Sequence, residues 1–441
     1  MPFHTRPIAF AGLAAAALSA CPALAQETAD CPDSVPAGTE CFRGQDENGA
    51  WYLIAKPQDW NGVLVLHAHG GPRLSPPARE DADEDLARFA MMVEEGYAWA
   101  GSNYRREGFG VRMAAEDMLN LVPIAVEAVG EPEVTILHGQ SWGGNVAAKA
   151  AELHAIGGDG ARRFDGVLLT NGLLAGGPRP YDFRADLRAV YQFYCRNHPR
   201  ADEEQYPLWR GRAEGSEPIA RADIEARVEE CTGLSKAPEE RSEEEARNLA
   251  DILADTRVPE RTLVAHLNFA TNTFADIVGE RLDGLNPFTN EGVRYEGSHD
   301  DEALNEGVER FRTDPDGLRR LTYDSGLTGQ IVLPTLTVHA IDDPTAFVEL
   351  EDEYRRTVAA AGNADLLVQT FVREGEHSRL SAPQYPALLE ALVDWIEDGR
   401  RPTAARVAEL CADLEPRYGD ETCHFETGYA PPPLATRSPE R

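Results

Sequence analysis

The sequence predicts an α/β fold: a mostly parallel sheet flanked by helices, interrupted by a large helical stretch. Three observations carry this. Continuous apolar runs at 63–67 and 134–137 read as strands buried on both faces. Stretches of helical spacing, at 79–95 and 112–129, alternate with them. From Leu173 to Gly329 the alternation stops, and the chain is charged and mostly helical before sheet character resumes at Ile331.

Taken in order, residues 26–50 are polar and turn-rich. Residues 51–56 alternate like a strand, and Trp60-Asn61-Gly62 makes a turn into the run 63–67, which leads to His69-Gly70-Gly71-Pro72. Leu86, Phe89, Ala90 and Val93 share one face of the helix 79–95, whose acidic start suits the positive end of the helix dipole. A strand at 97–102, the helix 112–129, the strand 134–137 and a strand at 164–170 follow. Beyond the helical stretch come a strand at 331–339, a helix at 346–361, a strand at 366–372 and a helix at 385–398. The tail carries a short helix and ends in Pro431-Pro432-Pro433, a composition that reads as disordered.

Composition narrows the function. Acidic residues outnumber basic ones by 75 to 42, for a formal net charge of −33, so there is no basic surplus to neutralise the phosphates of a nucleic acid. At the N-terminus, His4 and Arg6 precede an apolar run at 8–20 and then Ala23-Leu24-Ala25. That is the pattern of a signal peptide over 1–25, and it implies an exported protein, periplasmic or extracellular. Leu18-Ser19-Ala20-Cys21 offers an alternative, a lipoprotein anchored at Cys21. The apolar run is too short to span a bilayer, and no transmembrane span is expected elsewhere.

Of 7 cysteines, six lie beyond the signal, an even number that suits disulfides in an exported chain. The pairs within single segments are Cys31–Cys41, Cys195–Cys231 and Cys411–Cys423. No C-x-x-C, H-E-x-x-H, phosphate-binding or dinucleotide motif occurs, so neither metal nor cofactor is expected.

The chemistry centres on Gly139-Gln140-Ser141-Trp142-Gly143, a G-x-S-x-G between an apolar run and an Ala-rich helical run. A strand, a sharp turn with serine at its apex and a helix make a nucleophile elbow. A serine hydroxyl needs a base, and the base needs an orienting carboxylate. Both stand at later strand ends: Asp342-Asp343 after 331–339, and His377 after 366–372. Open α/β sheets place their sites at such ends.

With these residues in hand, the chain resembles the α/β-hydrolases over 51–172 and 331–398. His69-Gly70-Gly71 resembles the family's oxyanion loop, and Ser141 its nucleophile. His339-Ala340-Ile341-Asp342-Asp343 resembles H-G-x-x-D with Ala340 for the glycine, and so aligns the acid with Asp343; Asp342 is the alternative. Gly375-Glu376-His377 resembles the end of G-x-G-H. The resemblance implies a Ser141–His377–Asp343 triad, with the N–H groups of Gly71 and Trp142 as the oxyanion hole. Pro72 has no N–H to offer. It also implies a helical cap inserted after the sixth strand, as in capped esterases. His69-Gly-Gly-Pro72 and Asn103-Tyr104-Arg105 are similar to the prolyl-oligopeptidase branch.

The expected organisation is a signal peptide at 1–25, a hydrolase core at 26–172 and 331–400, a helical cap at 173–330 and a tail at 401–441. The expected function is hydrolysis of a small-molecule carboxylic ester through an acyl-enzyme. The alternatives are a peptidase, or a binding protein built on the same fold. Other histidines have structural readings: His138 and His69 as supports, and His339 as a strand end. His266 and His299 stand either near substrate or at the surface. The clusters Tyr191-Gln-Phe-Tyr194 and Tyr206-Pro-Leu-Trp209 suit core packing or the wall of an apolar pocket.

Overall fold

A computed structural model describes residues 27–441. The signal-peptide reading and the Cys21 anchor lie outside these residues.

Among the described residues one nine-stranded sheet runs in the order β1-β2-β3-β5-β4-β6-β7-β8-β9. The strands are β1 (Glu27–Ala29), β2 (Glu40–Gln45), β3 (Trp51–Lys56), β4 (Val63–Ala68), β5 (Ala98–Ser102), β6 (Val134–Gln140), β7 (Gly166–Thr170), β8 (Thr335–Ala340) and β9 (Leu367–Val372). β1, β2, β3 and β5 pair antiparallel, and every pairing from β5 through β4 to β9 is parallel. β4, β6, β7 and β8 are buried at every residue, which is why they read as unbroken apolar runs rather than alternating ones.

Helices cover both faces. They are α1 (Asp81–Arg88), α2 (Ala90–Glu94), α3 (Val111–Val129), α4 (Trp142–His154), α5 (Asp182–Cys195), α6 (Arg221–Thr232), α7 (Glu243–Thr256), α8 (Leu263–Asn268), α9 (Asp301–Gly307), α10 (Pro315–Ser325), α11 (Leu350–Ala360), α12 (Gln384–Asp398) and α13 (Ala404–Leu414). The side-chain period of two sorts the strands between two cores. Ile54, Leu64, Leu66 and Leu137 meet α3 and α4. Leu53, Val65, Ile136 and Val338 meet Phe89, Met92, Leu388 and Leu392 on the other face.

Helices α5 to α10 occupy the stretch between β7 and β8, and their buried residues share the α3–α4 core. Asp324 at the end of α10 accepts the N–H groups of Val111 and Arg112, capping α3 at 2.9 and 3.2 Å. Asn145 and Lys149 of α4 donate to the carbonyls of Ser325 and Gly326. The helical stretch is thereby tied to the two helices that flank the serine turn.

Several elements differ from expectation. The helical stretch follows the seventh strand in chain order, not the sixth, because both β1 and β2 form within the segment read as turn-rich. β2 is held by its register on β3, Cys41 opposite Ala55, and by the Cys31–Cys41 bridge. The helix at 79–95 divides at Phe89, whose ring packs on His67 and His138 at 4.7 and 4.8 Å. β8 begins only after Pro334, which has no N–H for a ladder. The Pro-rich end is folded rather than disordered: Leu434 is buried, Arg437 donates to Glu349 at 3.0 Å, and Arg441 reaches Asp182 and Asp186 of α5. Composition misses this because a few specific side chains, not average hydrophobicity, dock the tail.

Among the described residues three disulfides join Cys31–Cys41, Cys195–Cys231 and Cys411–Cys423, the segment-local pairs expected.

Candidate active site

Ser141 sits between the last residue of β6 and the first of α4, at φ 58° and ψ −124°. That is a left-handed conformation which a side chain rarely adopts, and the neighbouring glycines show what holds it. A Cβ on Gly139 would lie 2.3 Å from the Gly143 carbonyl oxygen, and a Cβ on Gly143 would lie 2.0 Å from that of Ala68. Only glycine lets the turn close against itself and against the end of β4. Trp142 opens α4, so its N–H has no carbonyl partner within the helix and is free to point at an anion near Ser141.

The other two expected side chains arrive from loops far along the chain. His377 Nε2 lies 2.8 Å from Ser141 Oγ, and His377 Nδ1 lies 2.8 Å from Asp343 Oδ2 and 3.0 Å from Oδ1. Asp343 can only accept, so Nδ1 donates and Nε2 is left to accept the serine proton. Asp342 is exposed, and the carboxylate bonded to the ring is that of Asp343.

Asp343 is buried and its oxygens are saturated with donors. Asn171 Nδ2 donates to Oδ2 at 2.8 Å, and the N–H groups of Thr345 and Ala346 donate to Oδ1 at 2.8 and 3.0 Å. Burial alone pushes this carboxyl up. The charge and hydrogen bond of His377, then the charge of His339 and the Thr345 N–H, more than offset burial, and the group ends below its ordinary value.

Two partners were not foreseen. Asn171 directly follows the strand expected at 164–170 and adopts φ 48°; an Asn in a left-handed turn after a strand is the available signal. Ser378 is buried with Oγ 3.2 Å from His377 Nε2, and nothing in its sequence context marks it.

Gly71 follows His69 at φ 147°, where a Cβ would meet the Arg73 nitrogen at 2.8 Å. Its loop crosses the elbow: a Cβ on Gly143 would lie 2.5 Å from the His69 carbonyl oxygen. His69 stacks on Tyr104 at 4.1 Å and bonds the Gly70 carbonyl at 2.5 Å, a support as expected. Burial lowers it to about 3. His138 is also a core group, buried against His67 with their Nδ1 atoms 3.0 Å apart.

His266 is buried and bonds the Pro344 carbonyl at 2.8 Å, while His299 is half-exposed beside Asp251. The aromatic clusters pack internally. Tyr191 bonds Asn197, Tyr206 bonds Arg188, and Phe193 meets Tyr194 edge-on. The rings around Trp142 are instead Tyr104 and Phe109, at 5.9 and 5.8 Å, with Tyr181 edge-on to Phe109 and stacked on Phe269. A cleft lined by His69, Tyr104, Arg106 and Trp142 adjoins the serine turn.

Among the described residues no group of His, Cys, Asp and Glu is arranged to hold a metal ion, and no helix is long and apolar enough to cross a membrane.

No family model matches the chain. An o-phthalyl amidase of Xanthobacter agilis is 29% identical over 112 residues, which is 25% of this chain and 23% of that protein. The match thus spans about a quarter of the curated relative. Among solved structures, an esterase from Aspergillus oryzae is 13% identical, with 82% of this chain and 81% of that one covered at a TM-score of 0.40. An acylaminoacyl peptidase of Pyrococcus horikoshii is 11% identical, with 92% of this chain and 43% of that one covered at 0.35. A putative esterase from Staphylococcus aureus is 10% identical, with 85% and 88% covered at 0.40. Likenesses this distant leave the assignment to the chain's own geometry. An antiparallel start, a parallel remainder and a glycine-flanked serine turn after the strand beside β4 together give the chain the α/β-hydrolase fold.

Proposed function

We propose that this chain is an exported serine hydrolase that cleaves small or medium carboxylic esters through an acyl-enzyme on Ser141. The observation that carries the reading is the unbroken line of hydrogen bonds from Ser141 Oγ through His377 to Asp343, each 2.8 Å long. In this reading His377 Nε2 takes the serine proton as Oγ attacks the carbonyl carbon. Asp343 holds the imidazolium that forms, and His377 then returns the proton to the leaving alcohol. The N–H groups of Trp142 and Gly71 receive the charge on the carbonyl oxygen. A water activated by the same histidine releases the acid. Three disulfides support export, because such bridges persist in oxidising compartments. The stretch 173–330 would act as a cap, its two stems flanking the serine turn, excluding water and binding the parts of the substrate remote from the reacting bond.

The likeness to an o-phthalyl amidase favours a second reading, an amide in place of the ester. One experiment separates the readings. A fluorophosphonate should label the wild type and spare S141A. A panel of p-nitrophenyl esters beside proline-containing peptide amides and a phthalyl monoamide should show esters cleaved fastest. Absence of labelling would point to a binding protein, and faster cleavage of any amide would replace the ester reading.

A further inference from the structure

The end of β8 holds a buried histidine whose surroundings specify its charge. His339 is fully buried. Its Nδ1 lies 3.2 Å from Glu351 Oε1, and its Nε2 lies 2.7 Å from the Ala346 carbonyl oxygen. With Glu351 ionised, both partners accept. A neutral imidazole carries one N–H and would set a lone pair against one of these oxygens; only the imidazolium donates to both. Glu351 is fully buried too. Its Oε2 accepts from Thr337 Oγ1 at 2.8 Å and from Gln369 Nε2 at 2.5 Å, so the carboxylate receives three donors. A buried charge pair satisfied on every side is the arrangement in which ionised groups persist away from water.

His266 gives the contrast. Its Nε2 faces the Pro344 carbonyl, but its Nδ1 faces the Arg184 Nε–H at 3.2 Å. One acceptor and one donor define a neutral ring, and burial, then the Arg184 charge, holds it well below the ordinary histidine value. At His339 burial also lowers, but the hydrogen bond and charge of Glu351, then the charge of Asp343 and the Ala346 carbonyl, more than offset it, and the group is raised.

His339 Nε2 stands 3.9 Å from Asp343 Oδ2. The groups that face Asp343 are therefore His339 from β8, His377 from the loop after β9, neutral Asn171 from the end of β7, and Arg184 from α5. Arg184 is buried between the rings of Phe183 and Phe269, donates to the Thr345 carbonyl at 3.3 Å, and bonds no carboxylate among the described residues. Its charge reaches Asp343. Behind His377, exposed Glu376 pairs with Arg261 at 3.5 Å, and neutral His266 lies close.

We propose that His339 is a permanent imidazolium, kept charged by Glu351, and that it is a positioning residue acting through Asp343. It holds the turn 343–346 by the Ala346 carbonyl and gives Asp343 a cationic neighbour at 3.9 Å, besides the more remote charge of Arg184 and the His377 imidazolium formed in the reaction. Without that neighbour the full charge of Asp343 bears on His377, the protonated base is favoured, and the pH range in which Ser141 is activated moves upward. The kinetic part rests on the Ser141–His377–Asp343 reading; the charge of His339 does not.

The full chain, labelled with nitrogen-15 histidine, should show both His339 nitrogens protonated between about pH 6 and 9, the signals being assigned by their loss in H339Q. E351Q should return the ring to its neutral form within that range. The rate of Ser141 phosphonylation by a fluorophosphonate, followed against pH, needs no known substrate. Its acid limb should rise by about half to one pH unit in both H339Q and E351Q. A merely structural role would lower the rate at every pH without moving the limb, and that result, in variants that melt as cooperatively as the wild type, overturns the proposal. A bare nitrogen on wild-type His339 near neutral pH overturns it as well. If wild-type Ser141 is not labelled at all, the hydrolase reading fails, and the nitrogen signals alone still decide the charge.

Discussion

At the scale of single residues, Asp342 and Asp343 are adjacent and chemically identical, yet they have opposite surroundings. Asp343 is buried with five contacts from donors, whereas Asp342 is exposed. On the proposed mechanism, D343N should lower kcat by about 10⁴-fold, since the amide favours the wrong tautomer of His377, while D342N should stay within a few-fold of wild type. S141A and H377A should each lose about 10⁵-fold or more, and the double variant little beyond that, because the pair acts as a unit. Steady-state rates on the best ester from the panel check all four. A dead D342N would reverse the assignment of the acid.

At the scale of elements, the two histidines opposite one another on β4 and β6 give the sheet a pH-dependent core. His67 and His138 are fully buried, with Phe89, Trp99 and Tyr385 around them. Burial lowers His138 to about 3, and burial, then the charge of His138, lowers His67. A group whose folded value lies below its unfolded one costs stability as pH falls through the unfolded value, because the unfolded chain binds the proton first. Stability should therefore fall below about pH 6.5, and His138 alone should cost about 2 kcal/mol at about pH 5. Urea melts from about pH 7 to 5 should show the slope, and H138Q should flatten it. If the slope is unchanged in H138Q, the histidine is not its source.

The disulfides act on the same scale. Cys195–Cys231 closes 36 residues between α5 and α6, and Cys411–Cys423 closes 12 in the tail. Chain entropy assigns them about 4 and about 3 kcal/mol respectively. Replacing the first pair by serines should lower the melting temperature more than replacing the second; the reverse order would point to native contacts rather than chain entropy.

Across the whole molecule, the last residues act on the helical stretch between β7 and β8. The Arg441 side chain is buried beside Asp182 and Asp186 of α5, and Asp182 is pushed up to about 6 by burial, against the pull of Arg441 and Arg179. R441A leaves two buried carboxylates without this partner. It should cost about 3 kcal/mol at neutral pH, and the loss should shrink as pH falls and Asp182 takes up a proton. Calorimetry at two pH values reads both effects. A loss that stays constant with pH would show that packing, not charge, docks the tail. The same helical stretch reaches both loops behind Ser141: Arg184 and His266 hold the carbonyls of Thr345 and Pro344, and Arg261 bonds the Gly375 carbonyl. Its arrangement is thus coupled to the loops carrying Asp343 and His377.

What the sequence determined by itself is whatever a few adjacent residues decide. The runs of β4 and β6 are buried on both faces and therefore unbroken. The serine turn needs glycines within two residues on either side. Each cysteine pair closes within one segment. Only tertiary structure decided what depends on residues brought from a distance. Asn171 meets Asp343 across 172 positions, and His377 meets Ser141 across 236. The H-G-x-x-D spacing aligns Asp343 but leaves Asp342 one residue of phase away, and only the fold separates them, burying the first and exposing the second. β1 and β2 form because β3 offers an edge, and the Pro-rich tail is ordered because α5 offers two buried carboxylates to Arg441. Short-range rules set by backbone geometry and side-chain periodicity survive in the sequence, while partnerships that exist only after the chain has folded back on itself do not.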